Sequence, residues 1–331
     1  MSRERVSRHL LPIQHRTDRQ PMTQRPEPPR PPRSPLRVIL YVAVVAILVV
    51  VVLHYSKLSS ATPSDSSLDW PNSGESAIGL VGHGVWATSG SQTAWPTAST
   101  AKLITALTVL NKYPLQPGQS GPLLTMSRND LAILHTYAHL NGSRIGRMGV
   151  GEQLSEYQML EAMMLPSADN MADSLAIWAY GSLPAYQAAA NQYLANHNIN
   201  DTHVGVDASG LDPSTVSTAH DLVLLGEAAM QNAVLAEIVA KPSVSGFPLV
   251  GAITNTNTLL GQNGIVGVKT GNSDQAGGVF VFAAKYNDAN GQELTVVGAV
   301  QGLPDLQAAL NAAAPLLNST EQNISQGTLT T

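Results

Sequence analysis

Cysteine is absent from the 331-residue chain. That excludes a disulfide framework, a cysteine-held metal and a thiol nucleophile. Aromatic residues are few. No Arg follows Arg147, and no Lys or Arg follows Lys285. No phosphate-binding glycine loop and no basic stripe interleaved with aromatics is present, so no motif points to a nucleotide or nucleic-acid partner.

What is present is unevenly spread. Residues 1–37 hold nine Arg against Glu4, Asp18 and Glu27, a net of +6, which leaves −11 for the rest of a chain whose total is −5. This first segment is rich in Arg and Pro and too polar to fold. Residues 38–55, "VILYVAVVAILVVVVLHY", are 18 residues without a formal charge. The length fits one membrane-spanning helix, and the arginines before it place the N-terminus in the cytoplasm. A cleaved signal peptide ending near Ala61 is the alternative. The long leader and long apolar run favour an uncleaved anchor. A Ser-rich linker over 56–72 follows. The folded domain is expected over 73–318, with a polar tail over 319–331.

Within that domain "SAIGLVG" and "GVWATSG" read as two short strands around Gly82-His83-Gly84. A helical block comes next. "LSEYQMLEAMML" opens with a capping box, Ser155 and Gln158, and Leu154 can staple to Met159. "ADNMADSLAIWAY", "LPAYQAAANQYLANH" and "TAHDLVLLGEAAM" continue at helical period. "GIVGVKT", "GGVFVFAAKY" and "LTVVGAVQG" read as strands, the last two joined at an Asn290-Gly291 turn. A final helix is expected over about 304–317. The pattern predicts an α+β fold: one antiparallel sheet built from both ends of the domain and flanked by helices, plus an all-helical lobe. The cleft between them is the natural site.

"TASTAKLITALTVL", residues 97–110, is apolar nearly all round yet carries Lys102. Ser99 lies three residues earlier, so hydroxyl and amine share a helix face. A lysine desolvated by apolar neighbours is easier to deprotonate and can take the serine's proton. The plainer reading is that Ser99 caps the helix and Lys102 reaches solvent. Two further stretches bear on the choice. "VGVKTGNSDQAGG" puts Lys269, Thr270 and Gly271 at a strand end, suited to receive an anion. "MLPSADNMADSLA" puts Ser167 in a polar break between apolar runs, where it could also be a helix cap. His135 and His139 have i,i+4 spacing but no carboxylate between them, and read as a solvated pair. Arg144 and Arg147 read as a solvated loop.

The three stretches, with "DASGLD", make the chain similar to the penicillin-binding, active-site serine D-alanyl-D-alanine carboxypeptidases, over roughly residues 73–318. The resemblance implies the fold of the DD-peptidases and β-lactamases. It makes Ser99 the acyl-enzyme nucleophile, Lys102 its base and Ser167 a proton relay to the leaving D-alanine. Lys269 and Thr270 would hold the substrate's terminal carboxylate, Gly271 would admit its backbone, and the N–H groups of Ser99 and Asn272 would form the oxyanion hole. It implies peptidoglycan stem peptides ending in D-Ala-D-Ala as substrate, β-lactams as covalent inhibitors, and no metal or organic cofactor. With the apolar run over 38–55 and the arginines before it, the expectation is attachment to the bacterial cell membrane through the N-terminal helix with the catalytic domain outside.

Two departures stand out. The family's second motif is Ser-x-Asn, but here the third position is Asp169 and the asparagine is Asn170. An ionised Asp cannot donate to a substrate carbonyl, and beside Lys102 it favours the charged amine. Either the loop shifts and Asn170 fills the role, or turnover is slow. The second departure is a missing arginine near the last strand, which leaves carboxylate binding to Lys269. A β-lactamase is one alternative, but no Glu-x-x-Leu-Asn lies between Asn170 and Lys269. A non-catalytic peptidoglycan-binding relative, motivated by Asp169, is the other.

Overall fold

The computed structural model describes residues 67–328. The expected membrane helix over 38–55 and the Arg/Pro-rich segment lie outside the described residues. Among the described residues no single helix is long and apolar enough to cross a membrane.

Strand β1 (Glu75–Leu80) and strand β2 (Gly84–Ser89) form a hairpin, the two short strands read from sequence around Gly82-His83-Gly84. Three long strands, β9 (Ile265–Ser273), β10 (Gly277–Asn287) and β11 (Glu293–Leu303), join them. The sheet order is β2-β1-β11-β10-β9, antiparallel throughout, so the two ends of the domain meet at β1 and β11 and β9 is left at an edge. The six short strands β3 to β8 pair outside this sheet: β3 (Trp95–Pro96) with β6 (Val216–Ser217), β4 (Leu123–Thr125) with β5 (Gln153–Ser155), and β7 (Ser243–Phe247) with β8 (Gly251–Thr254).

Side chains alternate across a strand, so each face of the sheet has its own core. Ile78, Leu80, Phe280, Phe282, Val296 and Val300 pack against helix α8 (Leu306–Ser325). Ala77, Val281, Ala283, Val297 and Ala299 belong to the larger core that helix α6 (Ala219–Gln231) shares with the helical lobe. That lobe comprises α1 (Lys102–Lys112), α2 (Arg128–Ala138), α3 (Glu156–Met164), α4 (Asp169–Tyr180) and α5 (Leu183–Asn196), with α7 (Ala233–Val239) after α6. The capping box of α3 forms as read: Ser155 Oγ accepts from the Gln158 N–H at 3.2 Å, and Gln158 Oε1 from the Ser155 N–H at 2.9 Å.

Two expectations need correction. The last helix does not stop near residue 317 but runs to Ser325, so most of the expected polar tail is helical. Its polar side chains turn inward because backbone groups satisfy them. Ser319 Oγ accepts from the Asp69 N–H at 2.9 Å, and Asn323 Nδ2 donates to the Ser67 carbonyl at 3.0 Å. The same bonds tie down residues 67–69, at the end of the expected linker, where Leu68 is buried. The second correction concerns the helix over 97–110. Residues Ala98–Ala101 form a 3-10 turn, and the α-helix begins only at Lys102.

Candidate active site

The 3-10 turn strengthens the meeting of Ser99 and Lys102, since side chains at i and i+3 eclipse in that geometry. Lys102 Nζ donates to Ser99 Oγ at 2.9 Å. Neither the turn nor α1 has a side-chain cap, so the capping role for Ser99 is not realised. Nor does Lys102 reach solvent, for its side chain is 0% exposed. Ser99 itself is half-buried.

Asp169 answers how an ammonium is buried here. Its Oδ1 lies 2.6 Å from Lys102 Nζ, an ion pair shut off from solvent. Its Oδ2 accepts from the Arg144 N–H at 2.7 Å. Asn170 points elsewhere: its side chain accepts from the Gly146 N–H at 2.8 Å and donates to the Gly146 carbonyl at 3.0 Å. Of the two candidates for the asparagine position, therefore, Asp169 faces the lysine and Asn170 clamps the loop behind it. The third donor of Lys102 goes to the Ser209 carbonyl at 2.9 Å.

Ser167 lies between α3 and α4 with φ of 67°. It does not cap α4, whose N-cap is Ala168. Its Oγ instead accepts from Lys269 Nζ at 2.9 Å, and the same amine donates to the Thr270 carbonyl at 3.0 Å. Burial pushes the Lys269 amine well below its ordinary range, the nearby charges of Lys102 and Arg144 add to this, and Asp169 opposes it. Lys269 and Thr270 are only 1% and 3% exposed, and Thr270 Oγ1 shares a hydrogen bond of 2.6 Å with Thr256 Oγ1. The charge effect of Arg144 on Lys269 sets this exposed arginine beside the site, so the solvated-loop reading understates it. His135 and His139 are exposed.

Edge strand β9 lies along the 3-10 turn. A Cβ on Gly271 would stand 2.9 Å from the Thr97 carbonyl oxygen and 3.2 Å from the Thr100 nitrogen, so only glycine allows this approach. The next residue, Asn272, is exposed, and its Oδ1 accepts from the Leu306 N–H at the start of α8, 2.9 Å away. Its side chain is thus committed, and its backbone is what remains for a ligand. Beyond it a cavity of about 490 Å³ is lined by Ser273 and Asp274 on one side and by Tyr137, Asp173, Asp207 and Asp212 on the other. Burial pushes the Asp173 carboxyl up to about 7, and the charge of Asp207 adds to this. Among the described residues no group of His, Asp and Glu is arranged to hold a metal.

All nine residues singled out from sequence fall in this region, with Asn170 and the Asn272 side chain turned to structural partners. The Ser209 carbonyl was missed, because a backbone acceptor carries no residue-type signal. Tyr137 and Asp173 were missed too, although Asp173 stands one helical turn from Asp169.

The sequence profile of the D-alanyl-D-alanine carboxypeptidase family matches residues 84–299. The chain belongs to that family. It is 33% identical over 217 residues to the D-alanyl-D-alanine carboxypeptidase DacB2 of Mycobacterium tuberculosis, covering 63% of this chain and 68% of that protein. A D-alanyl-D-alanine carboxypeptidase of a Streptomyces strain is 27% identical, over 70% of this chain and 80% of that one. Among solved structures, a D-alanyl-D-alanine carboxypeptidase from Mycobacterium tuberculosis superposes with a TM-score of 0.64 at 28% identity, covering 78% of this chain and 94% of that one. A Streptomyces DD-transpeptidase shares the fold, with a TM-score of 0.64 at 24% identity over 74% of this chain and 95% of that one.

Proposed function

We propose that the chain is a membrane-anchored serine D-alanyl-D-alanine carboxypeptidase that trims peptidoglycan stem peptides through an acyl-serine and is acylated by β-lactams. The observation that carries the reading is the 2.9 Å contact between a half-buried serine hydroxyl and a fully buried lysine amine. Ser99 Oγ attacks the carbonyl carbon of the penultimate D-alanine, and Lys102, as the neutral amine, takes its proton. The N–H groups of Ser99 and Asn272 stabilise the oxyanion. The peptide C–N bond then breaks, and the proton that Lys102 took from Ser99 passes through Ser167, which is hydrogen-bonded to Lys269, to the amine of the leaving D-alanine. Water attacks the ester and frees Ser99. Lys269 and Thr270 form the wall that receives the terminal carboxylate. An arriving anion offsets the burial and like-charge repulsion that now favour neutral Lys269. Asp169, in place of an amide donor, makes the enzyme slow.

The +6 segment and the apolar run over 38–55 support a single-pass anchor with the N-terminus in the cytoplasm and the catalytic domain outside. The activity is tested by incubating the protein with a pentapeptide ending in D-Ala-D-Ala and with a labelled penicillin. Released D-alanine and a lasting adduct on Ser99, lost in Ser99→Ala with the fold intact, are expected. Rapid penicillin turnover would point to a β-lactamase, and no adduct to a binding protein.

A further inference from the structure

Residues 207–212 belong to no helix or strand, yet the Ser209 carbonyl within them is one of three acceptors around Lys102 Nζ, at 2.9 Å. The other two are Ser99 Oγ at 2.9 Å and Asp169 Oδ1 at 2.6 Å. A neutral amine has two N–H donors and one lone pair. If the N–H groups stay on Asp169 and on the Ser209 carbonyl, the lone pair has one direction left, toward Ser99 Oγ. The aim of the base thus depends on where that carbonyl is held.

Two side chains without a hydrogen bond to the nucleophile or its base hold it. Asp173 lies four residues after Asp169, so one face of α4 presents both carboxylates. Asp173 Oδ1 accepts from the Ala208 N–H at 2.9 Å, and its Oδ2 accepts from the Tyr137 hydroxyl at 2.9 Å. The Tyr137 hydroxyl also lies 3.2 Å from Ser209 Oγ. Asp207 completes the loop from inside, accepting from the N–H groups of Ser209, Gly210 and Asp212 at 3.1, 2.7 and 2.9 Å. Tyr137 and Asp173 are 4% and 6% exposed. On the other side Gly210, at φ of 74°, abuts the 3-10 turn of Ser99, where a Cβ would come within 2.1 Å of the Ala98 carbonyl oxygen. The loop is therefore wedged between the nucleophile's own turn and the Asp173–Tyr137 pair.

We propose that Asp173 and Tyr137 are positioning residues for the acylation step: they fix the Ser209 carbonyl, which in turn aims the Lys102 lone pair at Ser99. This rests on the acyl-serine reading. Neither residue has a hydrogen bond to Lys102 or Ser99, so removing them leaves the base and nucleophile present but misdirected. A misplacement of about 1 Å costs up to about a hundredfold in rate.

The test measures acylation of the full chain by a fluorescent penicillin, separating the dissociation constant of the first complex from the acylation rate constant. Asp173→Ala removes both acceptors. It should lower the rate constant by about tenfold to a hundredfold and leave the dissociation constant within about twofold. Asp173→Asn keeps an oxygen for the Ala208 N–H and should recover most of the rate. Tyr137→Phe keeps the ring packing and should lower the rate alone, which keeps the test open if Asp173→Ala does not fold. A purely structural role would reduce the amount of labelled protein and spare the rate of the folded fraction, and that result overturns the proposal. So does an unchanged rate in Tyr137→Phe. No adduct on the unaltered protein would refute the acyl-serine reading itself, whereas an adduct with unaffected variants refutes this inference alone.

Discussion

Asp169→Asn replaces the anion beside Lys102 by a neutral group of the same shape. The carboxylate now accepts from Lys102 Nζ at 2.6 Å and from the Arg144 N–H at 2.7 Å. At an effective dielectric of about 20, unit charges that close attract by about 6 kcal/mol. Desolvation offsets much of this, and deleting one partner of a buried pair costs about 3–5 kcal/mol. Asparagine keeps a single acceptor oxygen, and its NH2 must face either Arg144 or Lys102. An ammonium facing an amide donor gains nothing, whereas a neutral amine can accept from it. The variant therefore accommodates the neutral amine better than the wild-type site does, and the neutral amine is the base that the proposed acylation uses. If about 1.4 kcal/mol of the lost attraction leaves the barrier, acylation by penicillin quickens about tenfold. The assay is stopped-flow labelling of both proteins, alongside a thermal melt. The melt should shift down by roughly 6–12 °C for a loss of about 3 kcal/mol. A slower variant would refute the reasoning. It would mean that Asp169 itself takes part, for instance by accepting the proton of Lys102 before Ser99 attacks.

Asn170→Ala should act on stability before rate. It removes two hydrogen bonds to Gly146 and should cost about 2 kcal/mol, read as a lower denaturant midpoint. A tenfold loss of acylation without that loss of stability would instead give Asn170 the site role. Both carboxylate oxygens of Glu156 are buried without a hydrogen-bond partner, and burial pushes its carboxyl up to about 7. The unfolded chain ionises this group at lower pH, so the stability its neutral form provides is present below the unfolded value and lost as pH rises through about 7. Glu156→Met should therefore raise the melting temperature more at pH 8 than at pH 5, and an equal shift at both would show that the carboxylate is not desolvated. Finally, protease added to intact spheroplasts should remove the catalytic domain and spare the Arg-rich segment. A protected catalytic domain would reverse the proposed topology.

The features legible in the residues alone were local or periodic. Ser99 and Lys102 meet because three residues of helical chain bring them to one face, whether the turn is 3-10 or α. The α3 capping box and the β10–β11 hairpin rest on residues close in sequence. The apolar run "GGVFVFAAKY" read as a strand before its two cores were known. The choice between Asp169 and Asn170 was of another kind. Neighbours on a helix point about 100° apart, so which one faces Lys102 depends on where α4 starts and how it docks against α1. The Ser209 carbonyl reaches Lys102 from 107 positions away, through a loop held by Tyr137 and Asp173 from two different helices. The inward turn of Ser319 and Asn323 likewise depends on backbone groups near residue 67. Hydrogen bonds to backbone atoms over such separations leave no periodicity and no residue-type signature, so only the tertiary structure could decide them.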